Sequence, residues 1–89
     1  MIQHKYTLFF SYNTIKQRND AIKFIAKYFD ATIHFSIGTW KGNIEQSITV
    51  EILHGCKISK IESLCRFIKA ICEQDYILLT IEDIKSELI

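Results

Sequence analysis

A four-stranded antiparallel sheet with two helices on one face, an α+β arrangement in the order βαββαβ, is the fold that this sequence predicts. Three observations lead there. Apolar and polar residues alternate in three runs, two longer stretches carry apolar residues at helical spacing behind a capping signal, and a glycine-flanked segment joins two of the runs.

Residues 6–12 place Tyr6, Leu8, Phe10 and Tyr12 on one face and Thr7, Phe9 and Ser11 on the other. This is the period of a half-buried strand, and the first set faces the core. Thr14 with Gln17 three residues later forms a capping box, in which the hydroxyl satisfies an orphan backbone N–H and the amide reaches back. The helix that follows from Ile15 has Ala21, Ile22, Ile25, Tyr28 and Phe29 as its apolar stripe, with Lys16, Lys23 and Lys27 opposite. After Asp30, alternation resumes with Ala31, Ile33, Phe35 and Ile37 inward against Thr32, His34 and Ser36. Gly38-Thr39-Trp40-Lys41-Gly42 then reads as a hairpin tip, with positive φ expected at Gly42-Asn43. Ile48, Val50 and Ile52 form the inner face of the returning strand, and Ser47, Thr49 and Glu51 its outer face.

His54-Gly55-Cys56-Lys57 interrupts the pattern, and Ser59 with Glu62 forms a second capping box. A helix from Lys60 carries Ile61, Leu64, Cys65, Ile68, Ile71 and Cys72 as its stripe. Residues 76–81 are β-rich but too uniformly apolar to orient by alternation, and Ile77, Leu79 and Ile81 are assigned inward. Ile84 and Leu88 in the tail lie four apart, enough for a turn or two of helix packed on another element. A right-handed crossover in each βαβ half, with a hairpin between, yields the ferredoxin-like arrangement as one domain over residues 1–89, with the first and third strands central.

Hydrophobic residues make up 48% of the chain and aromatic residues 12%, enough for a core without staples. Eleven Lys and Arg against ten Asp and Glu leave a net charge of +1, so any electrostatic attraction to nucleic acid or an anionic membrane must be local. Three cysteines without a CxxC spacing argue against a metal site, and Cys65 and Cys72, seven apart on one helix face, read as buried thiols; Cys56 is the one expected to reach solvent. No cofactor motif, signal peptide or membrane span is legible, and reduced thiols point to the cytoplasm.

With both helices on one side, the outward residues of the strands form an open sheet face, rich in Thr and Ser, centred on Phe9 and expected to carry no Lys or Arg. RNA-recognition domains place aromatics and cations on this face, whereas Ser47, Thr49 and Glu51 stand here, and Glu51 repels phosphate. His34, Glu51 and a nearby serine are the parts of a nucleophilic site, yet a flat face supplies neither a water-excluding cleft nor oxyanion donors. The expectation is therefore a non-enzymatic homodimer that binds a protein partner, with Trp40, Lys41, Thr39, Phe9, His34 and Glu51 as contact residues and Trp40 either as the anchor or folded back over the end of the core as a lid. The strand over residues 31–37 has no proline or charge to block edge pairing.

Eight of the eleven basic residues lie on or beside the helices, among them Lys16, Arg18, Lys23, Lys27, Lys60, Arg66 and Lys69. Nucleic-acid binding on that side is the alternative expectation.

Gly38-Thr39-Trp40-Lys41-Gly42 followed by Glu45 and Ser47, with Gln74 before the last strand, resembles a pattern in small bacterial and phage-borne α/β proteins. The resemblance implies an interaction protein, by analogy with the anti-CRISPR inhibitors of mobile elements that occupy a surface of a larger machine.

Overall fold

The computed structural model describes residues 2–54 and 58–85, and within them every side chain except those of Ile2, Gln3, Trp40, His54 and Lys85. Its elements run β1 (Ile2–Ser11), α1 (Ile15–Tyr28), β2 (Thr32–Trp40), β3 (Asn43–His54), α2 (Ile58–Cys72) and β4 (Leu78–Lys85). All four strands join one antiparallel sheet in the order β2-β3-β1-β4, so β1 and β3 are central as the crossover argument requires.

The core sits between one sheet face and the two helices. Tyr6, Leu8 and Phe10 of β1 and Ile48, Val50 and Ile52 of β3 bury against Ala21 and Ile25 of α1 and Ile61, Leu64, Ile68 and Cys72 of α2. Ile77 and Leu79 pack against this cluster, and Leu79 pairs with Leu8, which orients the last strand as assigned. Ile81 opposite Tyr6 shares that face but stays half exposed at the sheet edge.

Local signals account for the element starts. Gln17 N–H donates to Thr14 Oγ1 at 3.1 Å, and Gln17 Oε1 accepts from the backbone N–H groups of Asn13 and Thr14, so the first capping box forms. The second does not: α2 already includes Ile58, which puts Ser59 inside the helix. At the far end the Cys72 thiol lies 4.0 Å from the Gln17 carbonyl and ties the start of α1 to the end of α2. Burial pushes the Cys72 and Cys65 thiols up from their ordinary pKa.

Four expectations need correction. The hairpin turns at Lys41-Gly42, with φ of +49° and +80°, one residue earlier than the Gly42-Asn43 assignment. Strand pairing therefore extends through Gly38 and Thr39 to Trp40, which pairs with Asn43. Tyr28 is 57% exposed and Phe24 packs against the core in its place, its ring 5.0 Å from that of Phe67 on α2. Phe35 and Ile37 do lie on the helix side but are 60% and 74% exposed, because the distal half of the hairpin runs past the helices that would cover it. The chain stays in β4 through Lys85, so the helical tail is excluded for residues 82–85, and residues 86–89 lie outside the described part, as does Cys56.

Candidate functional site

The open face assembles three of the expected contact residues. Phe9, Thr49 and His34 occupy one rung across β1, β3 and β2, and Glu51 lies one rung away between Thr7 and Thr32. His34 Nε2 stands 3.5 Å from Glu51 Oε2, and Lys5 Nζ stands 3.3 Å from Glu51 Oε1. Lys5 faces the same way as Leu53 and Glu82, so the face does carry a cation, contrary to expectation: β1 starts earlier than its alternating run suggested. That lysine, with a smaller contribution from His34, holds the Glu51 carboxyl below the usual carboxylate range. On the other side of the Phe9–Thr49–His34 rung, the Ser36 and Ser47 hydroxyls share a hydrogen bond of 2.9 Å. These polar groups satisfy one another across strands on a surface over which no described residue builds a cleft.

The remaining expected residues disperse. Thr39 pairs with Ile44 on the opposite face, Lys41 forms the turn, and the Trp40 side chain lies outside the described part. On the helices, Lys16 is engaged with Asp20 at 2.7 Å, and the Arg18 guanidinium sits 5.2 Å above the Phe35 ring, so two members of the basic set already serve contacts within the chain.

A cleft of about 460 Å³ opens instead where β1 runs into α1, beside the start of β3 and the turn after α2. Ser11, Tyr12, Asn13 and Thr14 form one wall, Glu45, Gln46 and Gln74 another, and Ile15 and Ile44 flank it. Its amides are held in place. The Tyr12 hydroxyl donates to Gln46 Oε1 at 2.8 Å, which leaves the Gln46 Nε2 end to donate elsewhere. The Ser11 hydroxyl donates to Gln74 Oε1 at 2.8 Å, and Gln74 Nε2 donates to the Cys72 carbonyl at 3.0 Å. Glu45 is the one charged side chain among the described residues of the lining.

Sequence reasoning missed this cleft as a site, although Glu45 and Gln74 belong to the resemblance pattern and Thr14 caps the first helix at its edge. The lining residues lie up to 63 positions apart, and only the crossovers bring them together. Among the described residues no group of His, Cys, Asp and Glu is disposed to hold a metal, and no helix is long and apolar enough to cross a membrane.

No protein-family model and no curated protein matches the sequence. Solved structures share the fold. A phage SAM lyase in complex with S-methyl-5′-thioadenosine superposes with a TM-score of 0.73 at 16% identity, over 91% of this chain and 81% of that one. A nitrogen regulatory PII-like protein from Thiomonas intermedia K12, bound to ADP, AMP and bicarbonate, gives 0.64 at 12% identity over 100% and 98%. A dimeric ferredoxin-like protein from Thermobifida fusca YX gives 0.56 at 13% identity over 93% and 92%. The chain thus has a ferredoxin-like α+β fold, which an enzyme and a regulatory protein both use.

Proposed function

We propose that this chain binds an adenosine-type ligand, uncharged or positively charged at its 5′ substituent, in the cleft between the β1–α1 loop, the start of β3 and Gln74. The observation that carries the reading is the donor set of the cleft: oriented amides and hydroxyls, one carboxylate, and no Lys or Arg among the described lining residues. Asn and Gln amides match the donor and acceptor on the adenine edge, and the two isoleucines offer apolar flanks to a planar base. Two of the proteins that share the fold hold adenine compounds, which supports the choice of base. The charge favours SAM, whose sulfonium is positive, or a neutral thioadenosine over AMP or ADP, because Glu45 repels phosphate and no lining cation offsets it.

Isothermal titration with SAM, S-methyl-5′-thioadenosine and AMP tests this. SAM and the thioadenosine should bind, AMP at least about tenfold more weakly, and Glu45→Gln should narrow the gap between SAM and AMP. Absence of heat from both nucleosides at millimolar concentration, or AMP binding as tightly as either, would overturn the reading. Following SAM by chromatography in the same samples reports whether it is bound intact or converted.

A second reading, a homodimeric interaction module that regulates a larger protein, is favoured by exposed apolar side chains away from the cleft. Phe9, Leu53 and Leu78 lie on the open face, and Phe35 and Ile37 on the overhanging hairpin. On this reading Phe9, His34 and Glu51 meet a second copy, and Thr39, Trp40 and Lys41 at the hairpin end reach the partner.

A further inference from the structure

Away from the cleft and independent of it, a second groove of about 610 Å³ runs between the last turns of α1 and the first turns of α2. Its walls are aromatic. Phe24 packs against Phe67 with ring centroids 5.0 Å apart and against Tyr28 at 5.1 Å, and Tyr28 and Phe67 are both more than half exposed. Solvent-facing helix surfaces are ordinarily polar, so two largely exposed rings, Tyr28 and Phe67, on either side of the core-packed Phe24 are a departure that calls for a partner.

The one charged side chain of its described lining is a cation, and two further cations stand beside it. Lys60 is part of its lining, Lys27 Nζ lies 5.5 Å above the Tyr28 ring, and Arg66 Nη2 donates at 3.0 Å to the Ser63 hydroxyl on the groove wall. No Asp or Glu stands among its described lining residues. Three cations around an aromatic floor select an occupant with apolar knobs and acidic flanks. The shape selects further: two neighbouring helices of 14 and 15 residues leave between them the trough into which a third helix lays its ridge.

Single-stranded nucleic acid also pairs rings with cations, but it needs open ring faces on which bases stack. Here the rings tilt into one another, at 37° and 54°, and Lys27 covers a face of Tyr28. We infer that the α1–α2 groove is a docking site for an acidic amphipathic helix of a protein partner, anchored on Phe24, Tyr28 and Phe67 and held at its rim by Lys27, Lys60 and Arg66.

The test uses a 16-residue helical probe peptide with Leu and Phe at every third and fourth position and Glu elsewhere. It is titrated into the isotope-labelled full chain while amide shifts are followed by NMR. Shifts should concentrate in the last turns of α1 and the first turns of α2. Affinity should fall at least about tenfold when Lys replaces every Glu of the probe, and by a similar factor in the Phe67→Ser and Lys60→Glu variants. Lys60→Glu changes only an exposed side chain, so it reads the groove even where Phe67→Ser perturbs folding. No shift at millimolar peptide, equal binding of acidic and basic probes, indifference to Lys60→Glu, or tighter binding of a thymidine 15-mer at the same residues would each overturn the assignment. The cleft assay with SAM is unaffected by any of these outcomes.

Discussion

Lys41 holds a left-handed backbone conformation, φ +49°, that costs a side-chain-bearing residue about 1 kcal/mol, next to Gly42 at φ +80° where glycine has no such cost. Consecutive positive φ values match the twist of the flanking strands, and Asn-Gly is the preferred pair for such a turn. Lys41→Asn should therefore raise stability by about 0.5–1 kcal/mol, read as a higher denaturation midpoint, while Gly42→Ala should lower it. A β-carbon at Gly42 would meet nothing within 4 Å, so the loss there is conformational rather than steric. At this scale the glycine was visible in the sequence, but the turn register was not: Gly42-Asn43 and Lys41-Gly42 both satisfy a hairpin, and pairing of Ser36 with Ser47 and Phe35 with Ile48 chooses between them.

Among the elements, α1 was the most legible because its start is a short-range hydrogen-bond pattern. Thr14→Ala removes the acceptor for the Gln17 N–H and should cost about 1 kcal/mol, visible as a lower urea midpoint at unchanged slope, with Thr14→Ser retaining most of the stability. The Ser59–Glu62 pair carries the same signature and does not form a box, since α2 includes Ile58 and its boundary is not set by the first available hydroxyl. Alternation identifies the buried face where a strand lies in the centre of the sheet, as in Tyr6, Leu8 and Phe10. At the edge the same alternation named the right face but not its burial: Ile33 packs on the core, whereas Ile37 four residues on is exposed. Periodicity reports which side a residue points to, and the length of the opposing helix determines whether anything is there.

On the scale of the whole molecule, the described residues leave three surfaces uncovered: the open sheet face, the distal half of the hairpin and the aromatic groove between the helices. Face-to-face association through Phe9, Leu53 and Leu78 belongs to the second functional reading, and sedimentation velocity tests it. The wild-type chain should sediment as a dimer at high micromolar concentration and Phe9→Glu as a monomer, since a buried carboxylate in the middle of that contact has no partner. Wild type that stays monomeric throughout would remove the sheet face from consideration. The cleft was the least legible feature, because its residues come from the end of β1, the start of β3 and the turn after α2, and none is unusual in its own segment.

What the sequence determined by itself was the order and type of the elements, the two central strands and most of the buried residues, because alternation, helical spacing and capping are local and repeat within a few residues. Only the tertiary structure decided where polar groups far apart in the chain meet: Ser11 with Gln74, Tyr12 with Gln46, Lys5 with Glu51. Strand register and the docking of the helices on the sheet bring those pairs within hydrogen-bonding or ion-pair distance, and both are properties of the packed sheet and helices rather than of any one segment.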